Sequence, residues 1–397
     1  MYDVTIIGGG PSGCLLGKNL AKKGFEVAIL EEDPEIGQPM CCAGIVGAEG
    51  LKEINLDPES WSLRELRGGT FHCPTGETVK LSRGRTEAHV IDRAKFDRDL
   101  AEKAVRAGAE LKLKNRVRGI SRNEKGVTLL VKKRGGSEEV KSRMIVGADG
   151  PNSLVARTLD LMKNFSPTIA AQAEVVKKSE SRNAHVYLGN DLSKNFFGWA
   201  VPTGDIYRVG LGDKNGNVVR KLINFLEDEP SLPEDSRKKI VRLTTGLIPT
   251  PGSRKIYGER VILVGDAAGH VKPLTGGGLY LGLSIVEIAS EILTKALEGE
   301  PTEENLREYR KAVSEKYGKE FKMGARVRRI LQKASDDDIT EFLKLLTVPE
   351  IRDIILKNAD FDNHSKLFRE LMKNGPSLIS AIGTRKLMKY LGWFAKT

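Results

Sequence analysis

The residues best placed to do chemistry begin at position 8. Gly8-Gly9-Gly10-Pro11-Ser12-Gly13 follows the apolar run Tyr2 to Ile7 and opens an amphipathic stretch ending near Gly24; a second apolar run, Glu26 to Leu30, then leads into Glu31. Strand, glycine turn, helix and strand make a βαβ unit, and each part has a mechanical reason. Gly8 permits the tight turn, Gly10 lets backbone N–H groups approach a pyrophosphate, and Gly13 lets helix and strand pack closely. Pro11 and Ser12 stand at the start of the helix, whose N-terminus adds partial positive charge. Glu31 can accept hydrogen bonds from a ribose. The pattern reads as a dinucleotide site, and NAD and FAD share it. Cys14, behind the loop, reads as helix–sheet packing.

Two later segments set an aspartate among glycines. Val146-Gly147-Ala148-Asp149-Gly150-Pro151-Asn152-Ser153 is followed by Val155 and Arg157; Val264-Gly265-Asp266-Ala267-Ala268-Gly269-His270 is followed by Pro273 and Gly276-Gly277-Gly278-Leu279. The first closely resembles the Asp-Gly motif of the p-hydroxybenzoate-hydroxylase-like flavoproteins, and the second resembles their Gly-Asp motif. The resemblance covers the chain to about residue 300 and implies FAD. It implies that Asp149 lies near the flavin ribityl chain and pyrophosphate, and that Gly265 and Asp266 meet a ribityl hydroxyl. Gly277, Gly278 and Leu279 would bring a helix N-terminus to the pyrimidine edge, which gains negative charge on reduction. Arg93 matches the family's arginine near the phosphates and ribityl, and Val117 a position whose backbone faces adenine.

Segments outside the cofactor motifs narrow the resemblance. Glu35-Ile36-Gly37-Gln38-Pro39-Met40-Cys41-Cys42-Ala43-Gly44-Ile45 is similar to the flavin-proximal Pro-x-x-Cys loop of geranylgeranyl reductases. The similarity implies that Cys42 is the cysteine beside the isoalloxazine and that Ala43 and Gly44 continue the flavin contact, while Cys41 replaces an arginine often found there. Asn195-Phe196-Phe197-Gly198-Trp199-Ala200-Val201-Pro202 resembles those reductases' Tyr-x-Trp-x-Phe-Pro signature, with Phe197 for tyrosine and Val201 for phenylalanine. Phe197 and Trp199, at i and i+2 on a strand, share a face, so the segment through Pro202 reads as an apolar substrate wall or as ordinary sheet core. Halogenases of this superfamily carry a tryptophan where Phe197 stands.

The resemblance implies an FAD-dependent reductase of isoprenoid C=C bonds acting on a polyprenyl lipid, with Cys42 as proton donor, substrate positioner, flavin gate or packing residue. A flavin monooxygenase of an apolar or aromatic substrate is the alternative, and a flavin-binding sensor is disfavoured by the intact motifs. No second nicotinamide fingerprint is present, so the electron donor is open among a ferredoxin, a deazaflavin and NAD(P)H. The four cysteines, Cys14, Cys41, Cys42 and Cys73, all lie early in the chain and none are in C-x-x-C spacing. That argues against an iron–sulfur cluster, and with five scattered histidines it argues against any metal.

The elements that must position these residues fit an α/β FAD-binding Rossmann-like domain, a β-sheet-rich substrate domain and a C-terminal helical region, within 397 residues. The expected division is residues 1–70, 86–160 and 255–300 for FAD; 71–85 and 161–254 for substrate; and 301–397 as helices. Residues 34–85 read as loop with brief strand signals, and Phe96, Leu100 and Ala104 mark one face of a helix. No signal-peptide pattern opens the chain and no stretch reaches the roughly 18 apolar residues of a spanning helix, which points to a cytoplasmic protein with at most peripheral membrane contact. The formal charge is +11. Residues 371–397 hold Lys373, Arg385, Lys386, Lys389 and Lys396 and no acid, interleaved with Leu387, Trp393 and Phe394. This fits a helix on anionic headgroups, or one packed on the protein's own body. No nucleic-acid recognition motif appears.

Overall fold

The computed structural model describes residues 1–162, 165–214, 216–232 and 234–374. It divides into two compact units: Met1–Met40, Arg93–Pro167 and Ile248–Phe321 form the first, and Cys41–Asp92, Thr168–Leu247 and the chain from Lys322 form the second.

Unit 1 is built on apolar runs of four to six residues flanked by helices, the pattern of strands buried on both faces. Glu110–Lys112, Val27–Leu30, Tyr2–Ile7, Gly136–Gly147 and Val261–Leu263 lie parallel in that order, and a hairpin of Arg116–Asn123 and Gly126–Lys133 continues from the long fourth strand. Val4, Ile6, Ala28, Ile29, Ile145, Val146, Ile262 and Leu263 are fully buried. Helices Pro11–Ala21, Arg93–Arg106 and Leu279–Glu298 belong to this unit. Arg93–Arg106 buries Phe96, Leu100 and Ala104, the face expected from the periodicity.

Unit 2 holds a seven-stranded sheet in the order Ile240–Ile248, Thr168–Val176, Ile206–Asp213, Gly198–Pro202, Asn183–Tyr187, Gly68–His72, Thr78–Ser82. Alternation along these strands leaves one set of side chains for the amphipathic helix Val218–Asp228, whose Val218, Leu222, Phe225 and Leu226 pack with Ala171, Ala173, Val209 and Leu211. A three-stranded sheet, Ile45–Gly47, Ala88–Ile91 and Ser62–Leu66, completes the layer.

Against the expected division, residues 86–92 fall in unit 2, and residues 161–162, 165–167 and 248–254 fall in unit 1. Residues 41–70 belong to unit 2 and not with the FAD motifs, because Ile45–Gly47 and Ser62–Leu66 pair with Ala88–Ile91. The stretch 34–85, expected as loop, contains these strands and the helix Ala48–Glu53; a three-residue strand has too little local alternation to be read without its distant partner. The helical region from 301 is no separate unit: Glu303–Lys333 is one helix, and the division falls between Phe321 and Lys322. The basic segment 376–397 lies outside the described residues.

Candidate functional site

In unit 1 the phosphate loop is assembled by close backbone contact. Gly8 has φ +108, and a Cβ there would lie 2.3 Å from the Ala148 carbonyl oxygen; a Cβ on Gly13 would lie 2.1 Å from the Gly8 carbonyl oxygen. No residue but glycine fits either position. Nothing stands within 4 Å of the Cβ position of Gly10, so this side of the loop is open for a ligand to approach the backbone. Pro11 begins the helix, and its N-cap, Gly10, makes no side-chain capping bond, so the N–H groups of the first turn are left for an anion. Glu31 caps the turn from behind: Oε2 accepts from Gly9 N at 2.7 Å and Oε1 from Asp33 N at 2.9 Å. Burial raises its carboxyl above the ordinary range, against the pull of those two N–H groups. Each oxygen keeps a lone pair for a ribose hydroxyl. Cys14 donates to the Gly9 carbonyl at 3.1 Å, and burial pushes its thiol far up, so it packs as expected.

The other two motifs converge on this loop. Ser12 Oγ lies 2.7 Å from the Cβ position of Gly265 and 2.9 Å from that of Gly282 on helix Leu279–Glu298. Arg254, which sequence reasoning missed, stitches the aspartate motifs together: its guanidinium donates to the carbonyls of Asp266 and Ala267 at 2.5 Å and to that of Pro151. A lone arginine outside any motif carries no signal of this in sequence. Asp266 is half-buried; burial raises its carboxyl, opposed by the nearby Arg93 and Arg254 charges. Its Oδ1 lies 2.8 Å from the Cβ position of Gly278. Gly278 is the N-cap of helix Leu279–Glu298 and makes no side-chain capping bond, giving a second helix terminus with open N–H groups. Lys272, 3% exposed, closes the glycine turn, its N–H donating to Gly277 O at 2.9 Å and its carbonyl accepting from Gly276 N at 2.8 Å.

Three of the expected residues are held by contacts within unit 1. Asp149 accepts from Ser153 Oγ at 2.6 Å and from Val155 N at 3.1 Å, so it holds the turn into Leu154–Thr158. Its carboxyl is raised by burial, with the Ser153 hydroxyl working the other way. Arg93 makes a two-bond fork to Asp97, Nε to Oδ1 at 3.0 Å and Nη2 to Oδ2 at 2.8 Å. Val117 is buried at a bulge, where Val131 pairs with Val117 and Leu130 with Gly119. His270 is buried with its ring edge-on to Tyr309; burial, then Arg254, pushes its imidazole down to about 3, so it is neutral near pH 7. Open glycine backbone, two uncapped helix termini, a ribose-ready carboxylate and half-buried Asp266 beside the second turn are the groups that a dinucleotide with a ribityl chain requires. The residues present fit FAD.

Unit 2 carries the cysteine turn and the aromatic segment. Cys42 is half-buried, and its Sγ accepts from Gly44 N at 3.3 Å, closing a tight turn through Ala43. The turn's carbonyls are held from the large sheet: Gln172 Nε2 donates to Cys42 O at 3.2 Å, and Arg208 Nη1 donates to Ala43 O at 3.0 Å and Ile91 O at 3.1 Å. Arg208 in turn pairs with Glu174 at 3.6 Å. Cys41 is exposed.

The aromatic wall is larger than expected. Phe196 stacks on Phe197 with ring centroids 4.2 Å apart, and Phe197 meets Trp199 edge-on at 6.1 Å. The strand begins at Gly198; Phe197 stands just before it, its carbonyl accepting from Gly212 N at 3.2 Å, and meets the Trp199 ring edge to face. Pro202 is buried at the strand's far end, opposite Tyr207. Arg328 lies over the Phe196 ring at 5.0 Å and donates to Thr168 Oγ1 at 2.7 Å; burial lowers its pKa. Among the described residues there is no group of three or more metal-ligating side chains, and no helix is long and apolar enough to cross a membrane.

The FAD-binding-domain family model matches residues 1–211. The chain is 33% identical to an uncharacterized protein of Methanocaldococcus jannaschii over 98% of its length and 99% of that protein's. It is 31% identical to a digeranylgeranylglycerophospholipid reductase of the same organism over 96% of its length and 97% of the relative's, and 30% identical to a Methanococcus vannielii protein of the same name over 95% and 96%. Among solved structures, a geranylgeranyl bacteriochlorophyll reductase-like protein from Thermoplasma acidophilum superposes with a TM-score of 0.81 at 24% identity, covering 96% of this chain and 98% of that one. A flavin-dependent brominase shares the fold at a TM-score of 0.71 and 18% identity, covering 95% and 99%. With its phosphate loop, both aspartate motifs and this full-length relatedness, the chain belongs to the geranylgeranyl reductase family of FAD-dependent oxidoreductases.

Proposed function

We propose that the protein saturates trisubstituted isoprenoid double bonds in the geranylgeranyl chains of archaeal-type ether-lipid precursors. What carries this reading is that the likeness to the curated reductases runs the length of both chains, through unit 2 as well as the cofactor motifs. Bound FAD, once reduced, supplies the hydride. An isolated alkene has no carbonyl to polarise it, so a proton must reach the less substituted carbon, and water must be kept from the cationic carbon. Phe196, Phe197 and Trp199 offer apolar faces to the chain. Cys42 Sγ holds the proton, and the Gly44 N–H that already points at this sulfur stabilises the thiolate left after transfer.

Holoprotein reduced anaerobically and mixed with digeranylgeranylglyceryl phosphate tests the reading. The expected result is return of the oxidised flavin spectrum and a lipid heavier by two hydrogens per double bond. An unchanged lipid, or an oxygenated product formed only with oxygen and NADPH, overturns it.

The basic segment 371–397 is the proposed contact with anionic lipid, each lysine or arginine near the surface contributing about 1 kcal/mol. Binding to phosphatidylglycerol vesicles should fall with salt and disappear when residues 376–397 are deleted; binding that survives deletion refutes the contact.

A further inference from the structure

The strands Thr168–Val176, Ile206–Asp213 and Gly198–Pro202 lie side by side, and their register places Gln172, Gly210 and Trp199 in one row. Side chains in such a row point to the same face. The middle residue has none. A Cβ at Gly210 would lie 2.4 Å from Trp199 Cζ2 and 2.5 Å from Cε2, so the indole lies across the position the glycine leaves empty. From there its Nε1–H donates to Gln172 Oε1 at 3.1 Å, while Gln172 Nε2 donates to the Cys42 carbonyl at 3.2 Å.

An indole N–H only donates and a carbonyl only accepts, so a single orientation of the amide satisfies both partners. Gln172 is 6% exposed, a depth at which an unmade hydrogen bond is costly. The next row on that face repeats the arrangement: Glu174, Arg208 and Val201 are in register, and Arg208 holds the carbonyl of Ala43. Two rows on one face of the same strands, with the oppositely facing row of Ala173, Val209 and Ala200 between them, therefore end on two successive carbonyls of the cysteine turn.

We propose that Gln172 is a positioning residue that ties the Trp199 indole to the Cys42 backbone, so that the aromatic wall and the thiol-bearing turn keep one fixed relation, with Gly210 the gap that lets the tie form. The inference rests on the proposed reaction, in which the wall aligns the alkene and Cys42 protonates it. A proton donor displaced by about 1 Å loses on the order of 100-fold in rate, which is what such a tie prevents.

The test uses full-length, FAD-loaded protein in a Cys41→Ser background and compares Gln172→Leu, Gln172→Glu and Trp199→Phe with the parent. Gln172→Leu removes both bonds; Gln172→Glu keeps the indole's acceptor but loses the donor to Cys42; Trp199→Phe leaves the Cys42 bond in place. One readout needs no substrate: the rate of Cys42 alkylation by iodoacetamide, read by peptide mass spectrometry. Both Gln172 variants should alkylate several-fold faster and Trp199→Phe should stay near the parent. With the lipid as substrate, kcat per bound FAD should fall about tenfold in the Gln172 variants while KM stays within about twofold.

Parental alkylation rate and kcat in Gln172→Leu, whatever its melting temperature, overturn the tie. Should that variant not fold, Gln172→Glu carries the same comparison. Faster alkylation in the Gln172 variants of a protein whose parent never reduces the lipid leaves the tie standing and removes the proposed reaction.

Discussion

The two units use the same two means in different proportion, missing side chains weighing more in unit 1 and polar side chains more in unit 2. Unit 1 works by leaving side chains out: Gly8, Gly13 and Gly265 sit where a Cβ would meet Ala148 O, Gly8 O and Ser12 Oγ, and both helix termini at the cofactor motifs lack side-chain caps. Unit 2 puts polar side chains in: Gln172 and Arg208 project from the sheet to the carbonyls of Cys42 and Ala43, and Glu174 pairs with Arg208. A site made of backbone takes any ligand with phosphates and hydroxyls in the right places, which suits a cofactor common to reductases, monooxygenases and halogenases. A site made of side chains can change residue by residue, and unit 2 holds the cysteine turn and aromatic segment on which the reductase resemblance depends.

The sharpest break of this contrast is to put a side chain where unit 1 tolerates none. Gly13→Val drives its side chain into the Gly8 carbonyl and should leave a protein with FAD affinity lowered by about 5- to 100-fold, taking overpacking at about 1–3 kcal/mol and about 1.4 kcal/mol per decade. Flavin absorbance per protein after gel filtration measures it. The converse break removes a side chain that unit 2 needs. Arg208→Met strands Glu174 and two carbonyls in a buried setting, and should cost about 3–5 kcal/mol in denaturant unfolding. The sequence of the phosphate loop is untouched by it.

The smallest effect concerns acid. The His270 imidazole is pushed down to about 3, while a histidine in an unfolded chain titrates near 6.5. Between those values the unfolded chain binds a proton that the fold does not, so stability falls as pH drops through that window. His270→Leu should flatten this acid limb, so that the melting-temperature difference between variant and parent changes as pH falls below about 6.5 and stays constant above it.

How much of this was legible follows from the same contrast. The phosphate loop and Glu31 lie within two dozen residues of each other, and each glycine's reason is local, so spacing alone identifies them. Asp149 and Asp266 stand in recognisable motifs, yet Arg254, which joins their backbones, carries no local mark. The clamps on the cysteine turn come from 130 and 165 residues away, and only strand register brings Gln172, Gly210 and Trp199 into one row. Ile45–Gly47 escaped notice because three residues show no period. Phe197 stands one residue before the strand and still pairs with Gly212, while its stacking on Phe196 joins chain neighbours and has no period that spacing could show.

The central claim is that Cys42 supplies the proton for a reduction whose hydride comes from FAD. Cys42→Ala, purified with FAD and reduced anaerobically, separates the two duties. The account predicts parental FAD content and normal reduction of the flavin, with reoxidation by digeranylgeranylglyceryl phosphate slowed by about 100-fold, the usual contribution of a positioned acid. Reoxidation at the parental rate with full FAD would contradict it.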